Sequence, residues 1–116
     1  MEKFIQETIS SFNALEETYE MDLFDELVSI FSSQKEAFFN SLQTDQNFND
    51  TELRQQAHKI KSSARNVGAK KVGSLLEEIE KRADGADYHS KLEQIETEYQ
   101  LFIKIFNEWK KNRGQL

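Results

Sequence analysis

The sequence predicts an all-α fold, an antiparallel up-down four-helix bundle with an additional N-terminal helical segment. Three observations carry that expectation. Apolar residues recur at steps of three and four along most of the chain. The 116 residues include no proline and only four glycines, with only three valines, Val28, Val67 and Val72, which argues against a turn-rich β domain. Polar stretches interrupt the helical spacing at a few places and divide the chain into segments of helix length.

Residues 3–19 carry Phe4, Ile5, Ile9, Phe12, Leu15 and Tyr19, and form the N-terminal cap as one or two short helices before a break near Glu20. The first bundle helix is expected over 21–43, with Phe24, Leu27, Val28, Phe31, Phe38, Phe39 and Leu42 on its inner face. The stretch Thr44-Asp45-Gln46-Asn47-Phe48-Asn49-Asp50 has loop composition, and Asp50 or Thr51 can cap the next helix. The second helix, 50–67, has the stripe Leu53, Ala57, Ile60, Ala64, Val67; Gly68 then supplies a left-handed terminator. The third, 69–84, has Val72, Leu75, Leu76, Ile79 and Ala83, and Asp84-Gly85-Ala86-Asp87 forms the next loop. The last, 88–112, alternates steps of four and three through Tyr88, Leu92, Ile95, Tyr99, Phe102, Phe106 and Trp109. That stripe is roughly 33 Å long at 1.5 Å per residue. Four single-striped helices joined by short connections bury their stripes together as sequential antiparallel neighbours, so one domain is expected over 1–116.

Composition removes several function classes. Without cysteine there is no disulfide, no Cys-ligated zinc, no iron–sulfur cluster and no thiol nucleophile; the usage fits a reducing cytoplasm. The longest apolar runs are three residues, as in Leu101–Phe102–Ile103, too short for a membrane-spanning helix or a signal peptide. A net charge of −6 argues against general nucleic-acid binding. No phosphate-binding glycine loop is present, so the chain is not expected to bind ATP. The Glu-x-x-His pairs of metal-binding bundles are missing: Gln55 stands three residues before His58 and Ala86 before His89. His89, in a polar loop, is given no function.

The charge is unevenly distributed. Between Leu53 and Leu76 lie Arg54, Lys59, Lys61, Arg65, Lys70 and Lys71 with no acidic residue, leaving nine cations against 21 anions elsewhere. A basic segment in an acidic domain is either a solvated helix face or a recognition surface for an acidic partner. His58 lies within it, one helical step from Ala57 and so on the flank of the apolar stripe. Lys61, Ser62 and Arg65 share its face. With the turn centred near Gly68–Ala69, residues equally far on either side face each other, and His58 falls opposite Ile79 or Glu80. Ile79 belongs to the stripe, which leaves Glu80 as the polar neighbour. A carboxylate there fixes the ring's tautomer and leaves the other nitrogen's lone pair outward, as a nucleophile requires. Such a histidine can accept and release an anionic group such as phosphoryl. Lys61 is placed to contact that group, and Lys59 and Arg65 to steer an anionic partner. No cofactor of its own is expected, and Mg²⁺ would come from the partner. The alternatives are a histidine that merely bounds the core and a glutamate exposed on its helix.

The stretch Ala57-His58-Lys59-Ile60-Lys61-Ser62-Ser63-Ala64-Arg65-Asn66-Val67-Gly68-Ala69 resembles the signature of histidine-containing phosphotransfer (HPt) domains. The continuation Val72…Leu75-Leu76…Ile79-Glu80 and the preceding segment 22–31 are similar to the flanking helices of that family. The resemblance implies a bundle with a helical N-terminal cap, without kinase activity of its own. It implies phosphorelay between receiver domains of response regulators or hybrid sensor kinases. His58 matches the phosphoacceptor, Lys61 the lysine that stabilises the phosphoryl group, Glu80 the residue that orients the imidazole, and Gly68 the turn glycine. Arg54, Lys59, Ser62 and Arg65 fall on the surface that would meet the receiver. Where the family commonly has glycine four residues after the histidine, this chain has Ser62. A monomer in the cytoplasm is expected, free-standing or as the cytoplasmic module of a membrane-bound hybrid sensor kinase. The alternative function is an HPt-like module that docks on a receiver without carrying phosphate.

Overall fold

The computed structural model describes residues 2–18, 20–44, 50–82 and 88–114. They form five helices: α1 Glu2–Thr18, α2 Met21–Thr44, α3 Asp50–Asn66, α4 Lys70–Arg82 and α5 Tyr88–Gly114. No strand occurs among the described residues. Neighbours in sequence are neighbours in space from α2 through α5, and α1 packs against both α5 and α2. Across α2 and α5 the pairs Phe24–Phe106 and Phe31–Tyr99 step in opposite directions, as antiparallel helices require. The result is an all-α antiparallel bundle, 49 × 27 × 21 Å, with α1 added.

The N-terminal segment is one continuous helix, the first of the two expected alternatives. It ends just before Glu20, whose carbonyl accepts the Phe24 N–H at 3.0 Å and so starts α2. A single helix is long enough to carry Phe12 into the core between α2 and α5. Phe12 is fully buried, with ring centroids 5.3–5.7 Å from Phe24, Phe102, Phe106 and Trp109. These tilted and edge-on contacts suit the aromatic quadrupole and contribute about 0.5–1.5 kcal/mol per pair beyond burial. The Trp109 indole N–H donates to Asn13 Oδ1 at 3.0 Å, fastening α1 to α5.

The stripes of α3 and α4 are buried as expected: Leu53, Ala57, Ile60, Ala64 and Val67 on α3, and Val72, Leu76 and Ile79 on α4. Leu75 packs at their edge. One core position on α2 escapes the apolar pattern. Lys35 is only 3% exposed, with its ammonium 4.5 and 4.4 Å from the ring centres of Phe39 and Tyr99. It is ion-paired with Glu96 of α5 and, at 3.2 Å, with Glu36. A cation is tolerated there because carboxylates and aromatic faces replace its water. Other expectations lie outside the described residues: the side chains of Phe4, Ile5, Tyr19, Leu42, Asp50, Tyr88 and His89, both loop segments 45–49 and 83–87, and Ala83.

The turn between α3 and α4 sets the register of the site. Gly68 has φ +86°, in the left-handed region that favours glycine. The Ala69 N–H donates to the Ala64 carbonyl at 2.8 Å and the Gly68 N–H to the Arg65 carbonyl at 3.2 Å, the paired bonds of a Schellman stop. A Cβ at Gly68 would also lie 3.2 Å from Ser11 Cβ of α1. Glycine is therefore required twice, by backbone conformation and by the approach of α1.

Candidate functional site

The reversal at Gly68 brings His58 of α3 level with Glu80 of α4. His58 Nδ1 lies 2.8 Å from Glu80 Oε1, and the side chain is 63% exposed. Glu80 Oε2 accepts a second bond, from Lys61 Nζ at 2.6 Å. Lys61 is 12% exposed, its charge lodged between the two helices. One carboxylate thus holds the imidazole with one oxygen and the ammonium with the other.

This arrangement assigns the tautomer. The Lys61 hydrogen bond holds the Glu80 carboxyl below its ordinary value, against the opposing effect of burial, and the His58 bond adds to the lowering. Glu80 is therefore ionised near neutrality and can only accept. The Nδ1 nitrogen must then donate, so in the neutral ring Nε2 carries the lone pair. An exposed ring presents that lone pair to anything docking on α3.

The other candidates surround this pair. Ser62 is exposed, and its hydroxyl donates to the His58 carbonyl at 3.4 Å, a long bond. Arg65 Nη2 donates to Glu77 Oε2 at 3.3 Å. The Arg65 stem lies over Gly73, where a Cβ would come 3.2 Å from Arg65 Cγ. A glycine inside α4 costs about 1 kcal/mol relative to alanine. Here it leaves room for the arginine to lie across α4. Arg54 and Lys59 are exposed on α3. Gly68 stands at the turn and not at the site. Among the described residues, no three His, Cys, Asp or Glu side chains come together as a metal site would require.

Sequence alone sets Glu80 opposite His58 and directs Lys61 to the incoming group. The structure adds that Lys61 and Glu80 are bound to each other. Its signal was present: Lys61, three residues after His58, lies on the same face of α3, and the α3–α4 register that reaches Glu80 from one reaches it from the other.

The described helices thus form a bundle that exposes a carboxylate-anchored histidine beside a lysine. The family model described as Hpt domain matches residues 1–104. The chain belongs to the Hpt family. Comparisons with curated proteins and with solved structures give no match. Membership implies a phosphotransfer-related role in two-component signalling, as a phosphocarrier and not a kinase, in contact with receiver domains. No described helix is long and apolar enough to cross a membrane.

Proposed function

We propose that His58 is a phosphorelay intermediate, accepting a phosphoryl group at Nε2 from a receiver aspartyl phosphate and passing it to the aspartate of another receiver. The observation that carries this is the 2.8 Å contact of Nδ1 with an ionised Glu80 while the ring stays open to solvent. The Nε2 lone pair attacks phosphorus, the bond from phosphorus to the aspartyl oxygen breaks, and the aspartate leaves as a carboxylate. The ring gains positive charge as the N–P bond forms. Glu80 offsets that charge through the Nδ1 proton, which stays on the ring. Lys61, tied to Glu80 at 2.6 Å in the resting protein, turns its ammonium toward the phosphoryl oxygens. Transfer onward is the reverse displacement by another aspartate, and ring and carboxylate return to the resting pair. Phosphoryl transfer has a loose transition state, so positioning and charge supply most of the catalysis. The divalent cation belongs to the receiver. The basic strip of Arg54, Lys59 and Arg65 steers the receiver's acidic face, and the protein works as a monomer in the cytoplasm.

The test is incubation with phosphorylated receiver domains. Wild type should acquire an acid-labile phosphate, and His58→Gln should acquire none. Equal labelling of His58→Gln would overturn the assignment. Receiver binding without phosphohistidine would make the bundle a docking module instead. Lys61→Ala should slow transfer more than it reduces helicity.

A further inference from the structure

We propose that the Ser62 hydroxyl turns from the His58 carbonyl to donate a hydrogen bond to the phosphoryl group on His58 Nε2, as a second donor beside Lys61. The proposal rests on His58 being the phosphoacceptor, and it concerns a group that the resting site does not use.

Helix geometry places the two donors on opposite flanks of the histidine. At 100° per residue, Lys61 lies about 60° to one side of the His58 direction and Ser62 about 40° to the other. Lys61 takes the side toward α4, where Glu80 holds it. Ser62 takes the side away from α4 and is exposed. A phosphoryl group has three oxygens to satisfy, and Lys61 approaches from one flank only. Among the described residues, Ser62 is the hydroxyl one turn from His58 on the other flank.

The present partner of Ser62 is easily exchanged. At 3.4 Å from the His58 carbonyl the bond is near the limit of a hydrogen bond, and that carbonyl also serves the helix ladder. Side chains in a helix lean toward its N-terminus, so the hydroxyl already lies over the turn that carries His58. Rotation about χ1 re-aims it, and exposed rotamers interconvert in picoseconds to nanoseconds. A dianionic phosphoryl oxygen is a far stronger acceptor than a carbonyl already in use.

The experiment needs no receiver. Phosphoramidate donates phosphoryl to imidazole: its P–N bond breaks, ammonia leaves with the electron pair, and the Nε2–P bond forms. At fixed ammonia and phosphoramidate concentrations, phosphorus NMR reads the fraction of protein phosphorylated at equilibrium. Ser62→Ala removes the hydroxyl and keeps the Cβ; Ser62→Thr keeps both. Losing one exposed bond to an anionic acceptor should lower the equilibrium constant about three- to tenfold in Ser62→Ala and move the phosphorus resonance. Ser62→Thr should stay within about twofold of wild type on that same scale, with unchanged circular dichroism for both variants. If Ser62→Ala matches wild type, or Ser62→Thr falls as far as Ser62→Ala, the hydroxyl has no such role and the His58 assignment stands. If wild type takes up no phosphate, or His58→Gln takes up as much, the phosphoacceptor reading fails and this inference fails with it.

Discussion

Replacing Glu80 with glutamine removes one negative charge and keeps the shape of the side chain. In the native site one carboxylate accepts from two donors, His58 Nδ1 at 2.8 Å and Lys61 Nζ at 2.6 Å. An amide has one acceptor oxygen and one donor nitrogen, so it can accept from only one of them through that end. If its oxygen takes Lys61, its NH₂ faces Nδ1 and favours the tautomer with the proton on Nε2, which has no lone pair to attack. If its oxygen takes Nδ1, the ring keeps its tautomer but loses the counter-charge for the developing imidazolium. A hydrogen bond to a charged group contributes about 1.5–3 kcal/mol and a neutral one about 0.5–1.5. The transition state should therefore lose roughly 1–2 kcal/mol, a rate reduction of about five- to thirtyfold. The assay is the rate of phosphohistidine formation from phosphoramidate, followed by phosphorus NMR, with circular dichroism to establish that the bundle is intact. A folded Glu80→Gln variant within about twofold of the wild-type rate would refute the claim that the carboxylate prepares the ring.

Other outcomes rest on the same geometry. Gly68→Ala must place a Cβ at φ +86° and 3.2 Å from Ser11 Cβ, and should destabilise the protein by about 1–3 kcal/mol in urea denaturation. Lys35→Ala leaves a void between Phe39 and Tyr99 and removes the cation paired with Glu96, and should cost about 2–4 kcal/mol. Lys35→Met fills the space and should cost less, with phosphoryl uptake per folded molecule unchanged for both. Acid should weaken the fold in a defined window. Glu80 is lowered by the Lys61 bond against burial. Glu96 is also lowered, because bonds from Lys35 and Gln100 outweigh its burial. Folded values below the ordinary 4.5 mean that this stability is complete above pH 4.5 and is lost as pH falls through the folded values. Urea midpoints measured across that range should fall more steeply in wild type than in Glu80→Gln.

Much of the bundle was legible because burial leaves a periodic mark. The stripe Leu53, Ala57, Ile60, Ala64, Val67 could be read from spacing alone, and each member is buried. The turn was legible because Gly68 is the residue type that a left-handed stop needs. That turn, used as a ruler, placed Glu80 opposite His58 to within one residue. What escaped depends on partners distant in sequence. Lys35 interrupts an apolar stripe, and only the arrival of Glu96 and Tyr99 from α5 makes a buried lysine tenable there. Spacing leaves open whether residues 3–19 form one helix or two, because the contact of Phe12 with the rings of α2 and α5 is not written in local propensity. The Lys61–Glu80 pair went unread because Lys61 was directed to the incoming group, although the register that sets Glu80 opposite His58 also brings it to Lys61.

In the proposed mechanism Glu80 holds the Nδ1 proton so that Nε2 of His58 takes the phosphoryl group. Nitrogen NMR of histidine-labelled protein after phosphoramidate treatment reads which ring nitrogen bonds to phosphorus. Phosphorus coupling is expected at Nε2 of His58, with Nδ1 still protonated. Phosphorus on Nδ1, on His89, or on neither histidine would contradict it.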